Sequence, residues 1–172
     1  MDIAIVGKNS IKIKGKQVAF IVDPAKDMPK VSGDAIILLG NSADIDFSRV
    51  TDSRIIISGP GGYEVGGVKI SGTKTSRGTL YKFSIDETSI ILGTATDVKT
   101  EGFDVCQVAV VNTSNDFNES FVTALEPKIT VLYGEKATES AKTLGAESVV
   151  PTTKIAIAQD KLPEKMEVVV LE

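Results

Sequence analysis

AIILLGNSADID, residues 35–46, passes from a wholly apolar run into a polar loop. The run Ala35–Leu39 is bounded by Gly33 and Gly40. Its length and its lack of alternation predict a short strand covered on both faces rather than a helix. Beyond it, Asp44–Val50 has room for no more than a short helical turn, with Asp44 or Asp46 as N-cap, before a strand at Arg54–Ser58.

Upstream, Ile3–Val6, Ile11–Ile13 and Val18–Val22 read as strands separated by turns. Ile11 and Ile13 alternate with Lys12 and Lys14, which marks a sheet with one wet face, and Gly15 punctuates a hairpin. Asp23-Pro24 ends the third strand because proline cannot donate to a ladder. Residues 25–33, with Pro29 and Gly33, are polar and predict a surface loop.

Downstream, residues 58–72 hold six glycines, which suit tight turns and bulges between strands. A phosphate cradle would lead from a strand into a helix, whereas this segment leads into another strand. Leu80–Ile85 alternates and turns at residues 86–88 into Ser89–Leu92. Val105–Val111 predicts a second fully buried strand, followed by a turn and cap cluster at Asn112–Asp116. Asp116 as cap, with Glu119 in a capping box, begins a helix bearing Phe117, Phe121, Val122 and Leu125 on one face, and Pro127 stops it. Ile129–Leu132 predicts a strand, Glu135–Leu144 a helix ending at Gly145, and Ser148–Val150, Lys154–Ala158 and Met166–Leu171 the last strands.

Composition narrows the function classes. The 172 residues include 19 basic and 23 acidic side chains, a formal charge of -4, and 42% hydrophobic residues. That is the profile of one globular domain, residues 1–172. The charges are interspersed, so no nucleic-acid footprint is expected. No run is long enough to span a bilayer and the first residues lack a basic stretch ahead of an apolar one, so a cytoplasmic location is expected. The chain has 1 cysteine and 0 histidines. Those counts exclude an ordinary tetrahedral zinc site within one chain and all histidine-assisted serine or cysteine nucleophiles. Cys106 sits in an apolar run and reads as a buried, inert thiol.

Several segments together resemble the metallo-β-lactamase superfamily, most specifically the stretch PGGYEVGGVKI at residues 60–70, which is similar to small members of the ascorbate-6-phosphate lactonase type. The resemblance implies an α/β fold, a four-layer αββα sandwich of two mixed sheets, with the helices of the first half reduced. It also implies where metal ligands would stand. The loop pattern His-x-His-x-Asp-His falls on Gly40, Ser42, Asp44 and Ile45, so only the aspartate is kept. Lys8 stands where the first turn has histidine, Thr94 where a bridging aspartate is expected, and Leu132 where a last histidine is delivered. No metal and no cofactor are therefore expected.

The polar residues left near the implied site are Lys8, Asp23, Asn41, Ser42, Asp44 and Thr94, with Tyr63 and Tyr133 nearby. Asp44, Asp46 and Ser48 lack the glycine and the glutamate of a calcium loop and read as caps. A magnesium ion on Asp23 and Asp44 is a weaker alternative. Lys8 is expected to neutralise Asp23 or Asp44 in place of a cation. Three function classes follow: a catalytically degenerate hydrolase fold used for binding or assembly, which is favoured; a hydrolase with a rebuilt, non-zinc site for a phosphorylated or lactone-like molecule; and a small-ligand or nucleotide-binding regulator. A homo-oligomer is expected, because a reduced helix would leave part of one sheet face uncovered.

Overall fold

The computed structural model describes residues 1–40, 44–94, 105–115 and 117–172. Two mixed sheets face each other. The first contains β1 (Asp2–Gly7), β2 (Ser10–Lys14), β3 (Ala19–Val22), β5 (Ala35–Leu38), β7 (Ile55–Ser58) and β14 (Lys154–Ala156), in the order β14-β1-β2-β3-β5-β7. The second runs β15-β13-β12-β11-β10-β9-β8, from β8 (Gly61–Val65), β9 (Val68–Thr75), β10 (Gly78–Ile85), β11 (Thr88–Thr94), β12 (Val108–Asn112), β13 (Ile129–Tyr133) and β15 (Glu167–Leu171). Two short strands, β4 (Val31–Ser32) and β6 (Val50–Thr51), pair separately.

Alternation along the strands sorts the apolar residues into three layers of contact. Between the sheets lie Ile3, Ile11, Ile13, Phe20, Val22 and Ile37 from the first and Ile90, Leu92, Val108, Val110, Val131 and Tyr133 from the second. Phe20 meets Phe83 edge to face at 5.7 Å between ring centroids. The outer face of the second sheet, Ile91, Ala109, Val111, Leu132 and Val170, is covered by two helices, α1 (Glu119–Ala124) and α2 (Ala137–Thr143), through Phe121, Val122, Ala137 and Ala141. The outer face of the first sheet is covered more thinly. Ile21 and Ile36 pack under Met28 and Val50, which belong to the 25–33 segment and the β4–β6 pair. Among the described residues that layer holds only a 3₁₀ turn, Phe47–Arg49, capped by Asp46, whose carboxylate accepts Ser48 N–H. The four layers are present, with the helices reduced on the first-half side as expected.

The polypeptide differs from the sequence expectation at a few places, each for a local reason. The buried run at 105–111 becomes a strand only from Val108, where the parallel ladder to Ile90 begins, and Cys106 N–H instead reaches Leu125 O. The cap of α1 is Asn118, whose side chain accepts Ser120 N–H at 3.0 Å; the expected cap, Asp116, lies outside the described residues. Residues 148–150 make no strand, and Val150 is 84% exposed. Gly145, with φ of 82°, follows α2 as the left-handed residue its sequence position predicts. Cys106 is buried, and burial pushes its thiol up to about 11. No helix of the described residues is long and apolar enough to cross a membrane.

Candidate functional site

Four strand ends and two turns converge on a cleft between the sheets. β3 delivers Asp23, β5 delivers Leu39 and Gly40, β11 delivers Thr94, and β12 delivers Asn112. The β1–β2 turn adds Lys8 and Asn9, and the β9–β10 turn adds Arg77. The convergence follows from topology. β3, β5 and β7 run parallel, as do β11, β12, β13 and β15, so their carboxyl ends share one side, where open α/β sheets place ligands. The cavity is about 440 Å³, within the usual range of small-molecule sites. Of two broader concavities, the one of about 780 Å³ lies on the face of β8–β10, and the one of about 650 Å³ gathers the ends of β1, β13 and β15 beside Glu135.

Direct bonds between the sheets fix this geometry. Thr79 N–H donates to Leu39 O at 2.7 Å, and the Tyr81 hydroxyl donates to Leu38 O at 2.9 Å while accepting Gly59 N–H at 3.1 Å. Ser114 Oγ donates to Asn9 Oδ1 at 2.7 Å, tying the β1–β2 turn to the loop after β12. Gly134 permits that tie: its φ is 100°, and a Cβ there would stand 2.5 Å from Ser114 Oγ.

Of the residues singled out in the sequence, Lys8, Asp23, Gly40, Asp44, Ile45 and Thr94 line the cavity. Asn41 and Ser42 lie outside the described residues. Leu132 is turned away: it is fully buried among α1 and α2, and the period of two along β13 directs Tyr133 toward the inter-sheet core instead. Tyr63 donates to Ser58 O and Gly59 O, each at 3.0 Å, and steadies the turn before β8 rather than the cleft. Asn9, Lys26, Asp27, Arg77, Asn112, Ser114 and Asn115 also line the cavity and were not singled out. A signal existed for one group. Asn112–Asn115 closes a buried strand much as Asn41–Asp44 follows the one at Ala35, and the turn and capping propensity of its residues hides that parallel. Arg77 carries no local signal, since a hairpin brings it across from the other half of the chain.

Electrostatically, Lys8 does not neutralise a buried aspartate. Its ammonium is 2.8 Å from Glu135 Oε1 at the rim, the pair is solvent-exposed, and its backbone N–H donates to Asp27 Oδ2 at 3.0 Å. Asp23 is the perturbed group. Its Oδ1 accepts Leu39 N–H at 3.0 Å, and burial, opposed by that bond, raises its carboxyl to about 7. Among the described residues the fully buried Tyr133 hydroxyl makes no well-formed hydrogen bond, and burial, with the Asp23 charge adding to it and Asn112 opposing it, raises its pKa well above the ordinary value.

No family model matches the sequence, and no curated protein matches it. Solved structures do. A Thermotoga maritima protein assigned to the Zn-dependent hydrolases of the metallo-β-lactamase superfamily aligns over 99% of this chain and 97% of its own, with a TM-score of 0.78 and 18% identity. The chain has the metallo-β-lactamase fold. Two further structures with this fold agree: the isothiocyanate hydrolase from Delia radicum gut bacteria, at a TM-score of 0.65 with 14% identity over 92% of this chain and 99% of that one, and a metallo-β-lactamase fold protein from Bacillus subtilis, at 0.63 with 8% identity over 99% and 96%.

A metallo-β-lactamase fold implies metal in this cleft, and the donor set present does not fit it. Among the described residues no three histidine, cysteine or carboxylate side chains are grouped to hold an ion. The cavity walls carry Asp23, Asp27 and Asp44, but also Lys8, Lys26 and Arg77, whose charges oppose a cation. With 0 histidines in the chain, the usual nitrogen ligands are missing altogether.

Proposed function

We propose that this chain is a non-hydrolytic metallo-β-lactamase-fold protein whose cleft binds a small polar molecule. The supporting observation is that the cavity of about 440 Å³ is kept at the carboxyl ends of the parallel strands while its lining sets amide, hydroxyl, carboxylate, ammonium and guanidinium groups beside the apolar Ala25, Leu39 and Ile45. Such a wall offers many hydrogen bonds and no strong electrophile or imidazole base. Native mass spectrometry of protein purified without chelator tests this directly. An adduct of organic mass and no metal is expected; a bound divalent ion would revive a hydrolase with a rebuilt site, to be sought on phosphorylated or lactone-like substrates with Asp44→Asn as the control.

A second reading, self-assembly, has its own support. Among the described residues β7 is one of the two edges of the first sheet, and Ile56 on its outer face is 44% exposed, with Phe47 of the neighbouring 3₁₀ turn at 46%. An unblunted apolar edge of this kind is usually covered. We propose a homo-oligomer joined there, compatible with a cleft that binds ligand, and a single domain in the cytoplasm.

A further inference from the structure

The carboxyl that burial perturbs most in the cleft is that of Asp23. β3 ends at Val22, and Asp23 enters the left-handed region with φ of 44°, which aspartate tolerates better than most residues. The turn is held from several sides. Asp23 N–H donates to Ile37 O at 3.0 Å, its carbonyl accepts the hydroxyl of fully buried Ser10 at 2.7 Å, and that same oxygen of Ser10 accepts Ala25 N–H at 3.2 Å. These bonds fix the turn, so the Asp23 side chain is held at the wall of the cavity.

What the carboxyl lacks defines what it would take. Leu39 N–H fills one site on Oδ1, and among the described residues no cation and no second donor meets this carboxyl. The charged groups that share the cleft with it are Asp27, Asp44, Lys26, Arg77 and Lys8, the last paired with Glu135. From the second sheet it faces the hydroxyls of Tyr81 and Tyr133, both neutral.

Building on the reading of this cleft as a binding site, we propose that Asp23 anchors the protonated amine of a small zwitterion whose oxyanion end faces Lys26. An ammonium supplies three donors and a full charge to a carboxylate that has one donor and none. A metal ion would need a converging set of acids, which the described residues do not provide. Burial favours the protonated carboxyl near neutral pH. Amine binding therefore stabilises the ionised form and expels a proton.

Isothermal titration with the amino acids and with phosphoethanolamine, each beside its deaminated counterpart, tests the assignment. Expected are binding of an amine-bearing probe at least about tenfold tighter than its counterpart, proton release seen as buffer-dependent enthalpy, and loss of at least about tenfold in affinity on Asp23→Asn. Lys26→Ala is expected to weaken the zwitterion and to leave the corresponding amine without an oxyanion unaffected. A bound probe or copurified molecule lacking an amine, or binding untouched by Asp23→Asn, overturns the anchor while leaving the cleft a binding site. No probe bound and no adduct on the purified protein overturns both.

Discussion

Asp23 makes the stability of this protein depend on pH in an unusual direction. Its proton is held more tightly in the folded chain than in the unfolded one, so the group supports folding fully below its ordinary value and withdraws that support as pH rises through about 7. Comparing denaturant unfolding of the wild type with Asp23→Asn isolates the effect. Between about pH 4 and about pH 7 the wild type should lose up to about 4 kcal/mol relative to the variant, with partial exposure making the loss smaller. Asparagine keeps the acceptor for Leu39 N–H and tolerates the left-handed backbone, so the comparison is clean. Lys8→Ala, by contrast, should leave the melting temperature unchanged, because its ammonium pairs with Glu135 in open solvent. That outcome separates the observed rim pair from the cation substitute expected on sequence grounds.

Elements were legible where periodicity or punctuation left one solution. The hairpin of Leu80–Ile85 with Ser89–Leu92 and the glycine-rich connection at 58–72 formed as read, the latter turning at Gly66 and Gly67 with φ of 58° and 79°. They were illegible where pairing decides. An apolar run such as 105–111 does not state which residue meets Ile90, so the start of β12 shifted to Val108. Val149 and Val150 have strand propensity but no partner edge, because Thr152 makes the bridge to Leu171 instead. At α1 the sequence points to Asp116 as the cap, and Asn118, two residues further on, accepts the Ser120 N–H. Asn118→Ala should therefore cost about 1 kcal/mol in thermal or chemical unfolding.

The whole molecule has one thinly covered side. α1 and α2 sit on the second sheet, while the first is capped by turns and a two-strand pair that stop short of β7. Light scattering at micromolar concentration should therefore report a dimer or larger species, and Ile56→Lys should shift it to monomer without unfolding it; a monomeric wild type would remove the assembly reading. The sandwich itself was legible from the sequence because so many short strands with only two helical segments admit few other architectures. The surface that joins copies was not, because exposure of Ile56 depends on what the layer above fails to reach.

The bond between Ser114 and Asn9 spans 105 positions of the chain. Neither half of the molecule owns the cleft: residues before position 46 and after position 76 must be docked on each other before it exists. Ligand capture is thus a report on the completed fold. During refolding it should lag the return of secondary structure, and a nascent chain released before Ser114 has emerged would carry a nearly finished first sheet and nothing to bind with.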